Sequence, residues 1–179
     1  MILHTKICVS MRALELSEFM SRSVTSMTDA VFAHGGTIDK YIGDAVMALV
    51  EAPVASEDSA TAAIRKALEM KERIMQFKEA GGKEKSLRVR VGINTGPAVA
   101  ANLGSERRSE YTALGDSVNV ASSLATIARP NESCSDEDID STTKDGFVFV
   151  DIGVIDVKNR VEPVSVYKVI GLRENKYSH

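Results

Sequence analysis

The segment GGTIDKYIGDAVMAL, from Gly35 to Leu49, sets two apolar runs on either side of Gly43-Asp44. A two-residue Gly-Asp link leaves room for a tight turn and nothing longer, so TIDKYI and AVMALV are predicted to form a β-hairpin. Gly35-Gly36 ends the element before it. There Leu14, Phe19, Met20, Val24, Met27, Val31 and Phe32 recur mostly at three- and four-residue intervals, which predicts a helix within Met11 to Ala33. A helix that feeds a hairpin already commits this half of the chain to mixed α and β structure.

The remainder continues the mixture. After Pro53, Ser56 is placed to cap a helix whose first turn carries Glu57 and Asp58 and whose apolar stripe runs through Ala60, Ala63, Ile64, Ala67, Leu68 and Met75. LRVRVGINTG alternates with period two and breaks at glycine, which predicts a strand, and PAVAANLG reads as its partner. SVNVASSLATIA has helical spacing. ARPNESCSDEDIDSTTKDG is turn-rich and acidic and reads as a solvated loop with a short helical turn. FVFVDIGVIDV and VSVYKVIG read as two closing strands around KNRVEP. With no repeat and no low-complexity linker, the reading is one domain over residues 1–179, an α+β sandwich with a mostly antiparallel sheet.

Composition narrows the function classes. The chain has 179 residues, 44% apolar and 26% charged, as globular domains do. A net charge of −3 gives no electrostatic reason to expect nucleic acid or an anionic membrane surface. No apolar run approaches the roughly 20 residues of a membrane span. The opening MILHTKICVSM lacks the basic start, apolar core and cleavage pattern of a secretion signal. Cys8 and Cys134 have no metal-ligand spacing and read as reduced thiols, so a cytoplasmic location is expected.

Four ordered segments carry a family resemblance. HGGTIDKYIGDAVMALVEAP, LRVRVGINTGPAV, YTALGDSVNVASSL and DIGVIDVKNRVEPVSVYKV resemble, in order and spacing, the class III nucleotidyl cyclase catalytic domain. The resemblance covers about Met20 to Val169, with residues 11–170 as the best-matching region. It implies a ferredoxin-like α+β sandwich working as a head-to-tail dimer, a homodimer or a heterodimer with another cyclase domain. It further implies ATP or GTP bound where subunits meet, and two Mg2+ or Mn2+ ions held by two aspartates.

The resemblance assigns roles by position. Asp44 matches the second metal aspartate, and carboxylates are the hard ligands such ions prefer. Lys40 matches the residue that reads the base, where a lysine donates to adenine N1, and Thr112 matches its partner, so the pair favours ATP, with GTP less expected. Asn119 matches the asparagine that orients the ribose. Arg107 or Arg108, and Lys158 or Arg160, fall where the family places triphosphate contacts.

Two departures set the expected activity. Ser123 stands where the family carries an arginine that stabilises charge on the α-phosphate, and losing such a donor typically costs about 10²-fold or more in rate. No aspartate precedes Asp29, so the first metal aspartate, which the family carries on its first strand, is absent. Either KICVSM is that strand, with Val9 or Ser10 at the aspartate position, or the strand has been lost or precedes this chain. Its loss would leave an exposed sheet edge. Ala101 also replaces a glycine usual in the family. The expected function is an adenylyl-cyclase-type domain that converts ATP to cyclic AMP and pyrophosphate with impaired activity, in cyclic nucleotide signalling. The alternative is an inactive pseudo-cyclase that binds nucleotide or a cyclase partner. The opening hairpin and YTALGDSVNVASSL are expected to meet across a two-fold interface that buries Leu114, Val118 and Val120, in a weak dimer.

Overall fold

The computed structural model describes residues 1–7, 12–33, 35–50, 59–75, 87–105, 108–158 and 160–173. The opening stretch is β1 (Ile2–Ile7), and the expectation that the first strand is missing is overturned there. β1 lies inside the sheet, antiparallel to two neighbours. Ile2 pairs with Met47 on one side and Gly92 on the other, and His4 pairs with Ala45 and Arg90. No sheet edge is exposed by its loss. Val9 and Ser10 lie outside the described residues and beyond β1.

Helix α1 (Ala13–Ala33) follows, and Gly35, at φ +65°, turns the chain into β2 (Gly36–Ile42). β2 and β3 (Ala45–Val50) form the predicted hairpin around Gly43-Asp44, with Gly43 at φ +61°. α1 buries Phe19, Ser23, Met27, Ala30 and Val31, whereas Leu14 and Phe32, placed on its apolar stripe by spacing alone, are 73% and 58% exposed. Helix α2 (Ser59–Met75) buries Ala60, Ala63, Ile64 and Ala67 as expected, and Met70 and Lys66 besides. The proposed Ser56 cap lies outside the described residues.

β4 (Leu87–Ile93) buries Val89, Val91 and Ile93 against α1 and α2. The opposite face accepts helix α3 (Asp116–Ile127) because position 92 is glycine. A Cβ there would lie 2.0 Å from the Ala121 carbonyl oxygen and 2.5 Å from the Ala125 nitrogen. Full burial of side chains such as Phe19 and Ile64 stabilises this layer by about 1.5–3 kcal/mol each.

Two further readings are corrected. β5 (Val99–Ser105) pairs with β6 (Arg108–Leu114), not with β4, forming a separate two-stranded arm. The acidic stretch read as a solvated loop contains β7 (Glu132–Asp136), a buried strand running parallel to β4. A buried strand forms despite its polar residues because Ser133, Cys134 and Ser135 are small enough to pack inside. Asp136 caps α4 (Glu137–Thr143) by accepting from the Ile139 N–H, and burial pushes its carboxyl up to about 6. β8 (Phe147–Ile155) and β9 (Val164–Leu172) close the chain as predicted. The main sheet runs β2-β3-β1-β4-β7-β9-β8 with β4–β7 its parallel pair, so the expected mostly antiparallel α+β sandwich is what forms.

Candidate functional site

The β2–β3 hairpin brings two predicted residues to the surface, and its ladder is irregular where it matters. Ile38 pairs with Ala48 and Lys40 with Met47, so Asp39 is an extra residue outside the register. Such a bulge re-aims side chains that a regular strand would send to opposite faces. Here Asp39 and Lys40 converge, with Lys40 Nζ 3.6 Å from Asp39 Oδ2. The Asp39 side chain is fully buried and that of Lys40 is 33% exposed.

Thr112 reaches the same carboxylate from β6. Its hydroxyl donates to Asp39 Oδ2 at 3.0 Å across 73 positions of chain. Thr112 is 1% exposed, so Asp39 and Thr112 are both buried while Lys40 reaches the surface. The hairpin and β6 therefore meet within a single chain. Asp39 was missed from sequence because only the bulge turns it toward Thr112, and no residue type announces that bulge.

Asp44 occupies the hairpin turn and is exposed. β1, the strand paired with β3 next to that turn, reads ILHTKI and offers no carboxylate. Among the described residues no three His, Cys, Asp or Glu side chains gather as a metal site would require. One carboxylate is a single hard ligand, so this donor set does not fit a pair of ions bridged by two aspartates.

Asn119 sits exposed in the first turns of α3. The start of that helix is held by Ser117, whose hydroxyl donates to the Pro97 carbonyl at 2.9 Å, and by Asn94, whose amide donates to the Ser117 carbonyl at 3.3 Å. The Ser123 hydroxyl donates to the Asn119 carbonyl at 2.9 Å. Arg160 pairs with Asp116 at 2.7 Å, at the helix start, through partly exposed side chains; such pairs contribute about 0–1 kcal/mol. Lys158 stands exposed in the turn before it. Arg107 lies outside the described residues, and Arg108 opens β6.

The three interface residues expected from sequence separate. Val120 is 1% exposed and belongs to the core under α3, Val118 is partly buried against the cluster of Ile2, Met47, Ala113, Ala121 and Ala125, and Leu114 is 44% exposed. A mostly apolar hollow of about 360 Å³, lined by Met47, Leu49, Ala63, Ala113 and Ala121 among others, contains none of the predicted site residues. Lys40 and Asp44 lie on the hairpin, Arg108 and Thr112 on the arm, Asn119 near the start of α3, and Lys158 and Arg160 in the connection between β8 and β9.

Residues 2–171 match the family described as the adenylate and guanylate cyclase catalytic domain. Adenylate cyclase 1 of Rhizobium meliloti is 34% identical over 162 residues, which are 88% of this chain and 24% of that protein. The terminal-differentiation-specific adenylate cyclase of Dictyostelium discoideum is 34% identical over 171 residues, 90% of this chain and 8% of that protein. The chain thus spans a quarter or less of the length of these curated relatives. Among solved structures, the adenylyl cyclase CyaB from P. aeruginosa superposes with a TM-score of 0.86 at 30% identity, covering 96% of this chain and 93% of that one.

Proposed function

Because the chain belongs to the adenylate and guanylate cyclase catalytic domain family, we propose that it is an adenylyl-cyclase-type domain of cyclic nucleotide signalling that binds ATP and forms cyclic AMP and pyrophosphate with impaired turnover. One observation carries the reading: β1 is in place beside the Asp44 hairpin, yet contributes no carboxylate. The scaffold for nucleotide is intact and half of the metal-holding chemistry is gone.

In this reading Lys40 donates to adenine N1, Asn119 orients the ribose and Lys158 meets the triphosphate. Arg160 is the poorer triphosphate candidate, since Asp116 already occupies it. The adenylate cyclase names of the two curated relatives and of CyaB support ATP over GTP. Residues 1–179 act as one cyclase domain, degenerate in β1 and at Ser123.

Calorimetric titration with ATP and GTP, paired with a cyclic AMP assay in Mn2+, tests this. ATP binding with slow cyclic AMP formation is the expected result, and failure to bind ATP sinks the proposal. Ser123 and the missing carboxylate together also favour a second reading. In that reading the domain binds ATP without turnover and serves a complete cyclase as a partner, and absence of cyclic AMP despite ATP binding would select it.

A further inference from the structure

We propose that Asp39 is a positioning residue that sets the preference of this site for ATP over GTP, by fixing the polarity of the Thr112 hydroxyl and the place of the Lys40 ammonium. The inference rests on the reading of Lys40 as the residue that meets the base. It starts from the bulge at Asp39, which directs two consecutive side chains of β2 toward one residue of β6.

A carboxylate accepts and cannot donate, so the proton in the 3.0 Å contact belongs to Thr112. The other acceptor near that hydroxyl, the Ala113 carbonyl, is 3.5 Å away, at the limit of a hydrogen bond. With its proton held by Asp39, Thr112 has only lone pairs left to offer a ligand. Lys40 has only donors.

The two purines differ at the matching atoms. Adenine presents an acceptor at N1 and an amino donor at C6, whereas guanine presents a donor at N1 and an oxygen acceptor at C6. A donor from Lys40 and an acceptor from Thr112 therefore complement adenine at both atoms and oppose guanine at both. Were Asp39 absent, the Thr112 hydroxyl could rotate and donate to a guanine oxygen. The polarity of the site is set by a residue beneath it.

Access is consistent with this arrangement. Thr112 is buried, and Lys40, whose contact to the same Asp39 oxygen is 3.6 Å and so longer than a hydrogen bond, is a third exposed. The ion-pair attraction of Asp39 holds the partly exposed Lys40 ammonium where an entering base would meet it. Asp39 Oδ1 is buried with no hydrogen-bond partner among the described residues.

The test measures affinities of the full chain for ATP and for GTP by calorimetry, with thermal melting as a fold control. Asp39→Asn can turn its amide N–H toward Thr112 and free the hydroxyl proton. It should lower the ATP-to-GTP affinity ratio by about tenfold, the scale of one mispaired polar contact. Thr112→Val should lower the ratio similarly, Thr112→Ser should retain it, and the Asp39→Asn/Thr112→Val double variant should fall short of the sum. If Asp39→Asn does not fold, Thr112→Val against Thr112→Ser reads the same point, and equal ratios in those two overturn the proposal. A wild-type ratio in folded Asp39→Asn, with ATP binding still lost in Lys40→Ala, overturns this inference alone. Wild-type protein that binds neither nucleotide, or Lys40→Ala that binds ATP normally, overturns the parent reading and this one with it.

Discussion

Ser123 Oγ donates to the carbonyl oxygen of Asn119 at 2.9 Å, one turn back along α3. The position that would project a cation toward a phosphate instead closes a bond within its own helix. Arginine placed here should restore little by itself, because β1 still lacks a carboxylate and residues that act as a unit are not additive. Cyclic AMP formation by Ser123→Arg is expected within roughly threefold of wild type. An aspartate introduced at Val9 or at Ser10, the positions that match the family's first metal aspartate, each in turn, should behave the same alone, and one of the two combined with Ser123→Arg should exceed wild type by at least about tenfold.

Gly92 marks where α3 rests on the sheet. An alanine Cβ would meet backbone atoms of Ala121 and Ala125 at 2.0 and 2.5 Å, and backbone cannot swing aside as a side chain can. Gly92→Ala should destabilise the domain by about 3 kcal/mol, read as a lower midpoint in urea. An unchanged midpoint would mean that α3 does not seat as described.

Asp136 gives a pH signature. Its folded-state value, raised by burial to about 6, lies above the ordinary 3.8, so between those values the folded chain holds a proton that the unfolded chain has released. Stability from this group is therefore present at low pH and lost as pH rises through about 6. Asparagine keeps the cap on Ile139 without the ionisation. Asp136→Asn should be more stable than wild type by about 1–2 kcal/mol at pH 7, with the gap closing near pH 4.

Period and turn chemistry made legible the Gly43-Asp44 hairpin, the buried Ala60, Ala63, Ile64 and Ala67 of α2, the alternation of Val89, Val91 and Ile93, and the closing β8–β9 pair, but misplaced Leu14 and Phe32 and the partner of β5. What sequence hid was set by tertiary context. β7 is a short buried strand of small polar residues, which carries no apolar alternation to read. β1 forms at Ile2–Ile7, ahead of most of KICVSM, and without an aspartate the sequence left open whether the family's first strand was there or missing. Asp39, whose carboxylate both Thr112 and Lys40 approach, was not legible, since a bulge follows from packing and not from residue type.

Assembly follows from what remains exposed. Val120 is committed to the core, so self-association has Leu114 and neighbouring arm residues such as Leu103 and Tyr111, all partly exposed, to work with. Sedimentation should show a concentration-dependent dimer with a Kd of about micromolar or weaker, and Leu114→Asp should shift it toward monomer. A strict monomer at high concentration would leave only a different chain as the partner.

The most direct measurement is the rate of cyclic AMP formation per molecule of bound ATP, with Mn2+ present, compared under identical conditions with a cyclase domain carrying both metal aspartates and the arginine. The account predicts that ATP binds and that turnover is lower by at least about 10²-fold. Turnover equal to that of the complete domain would contradict it, because neither Ser123 nor the carboxylate-free β1 would then limit the chemistry.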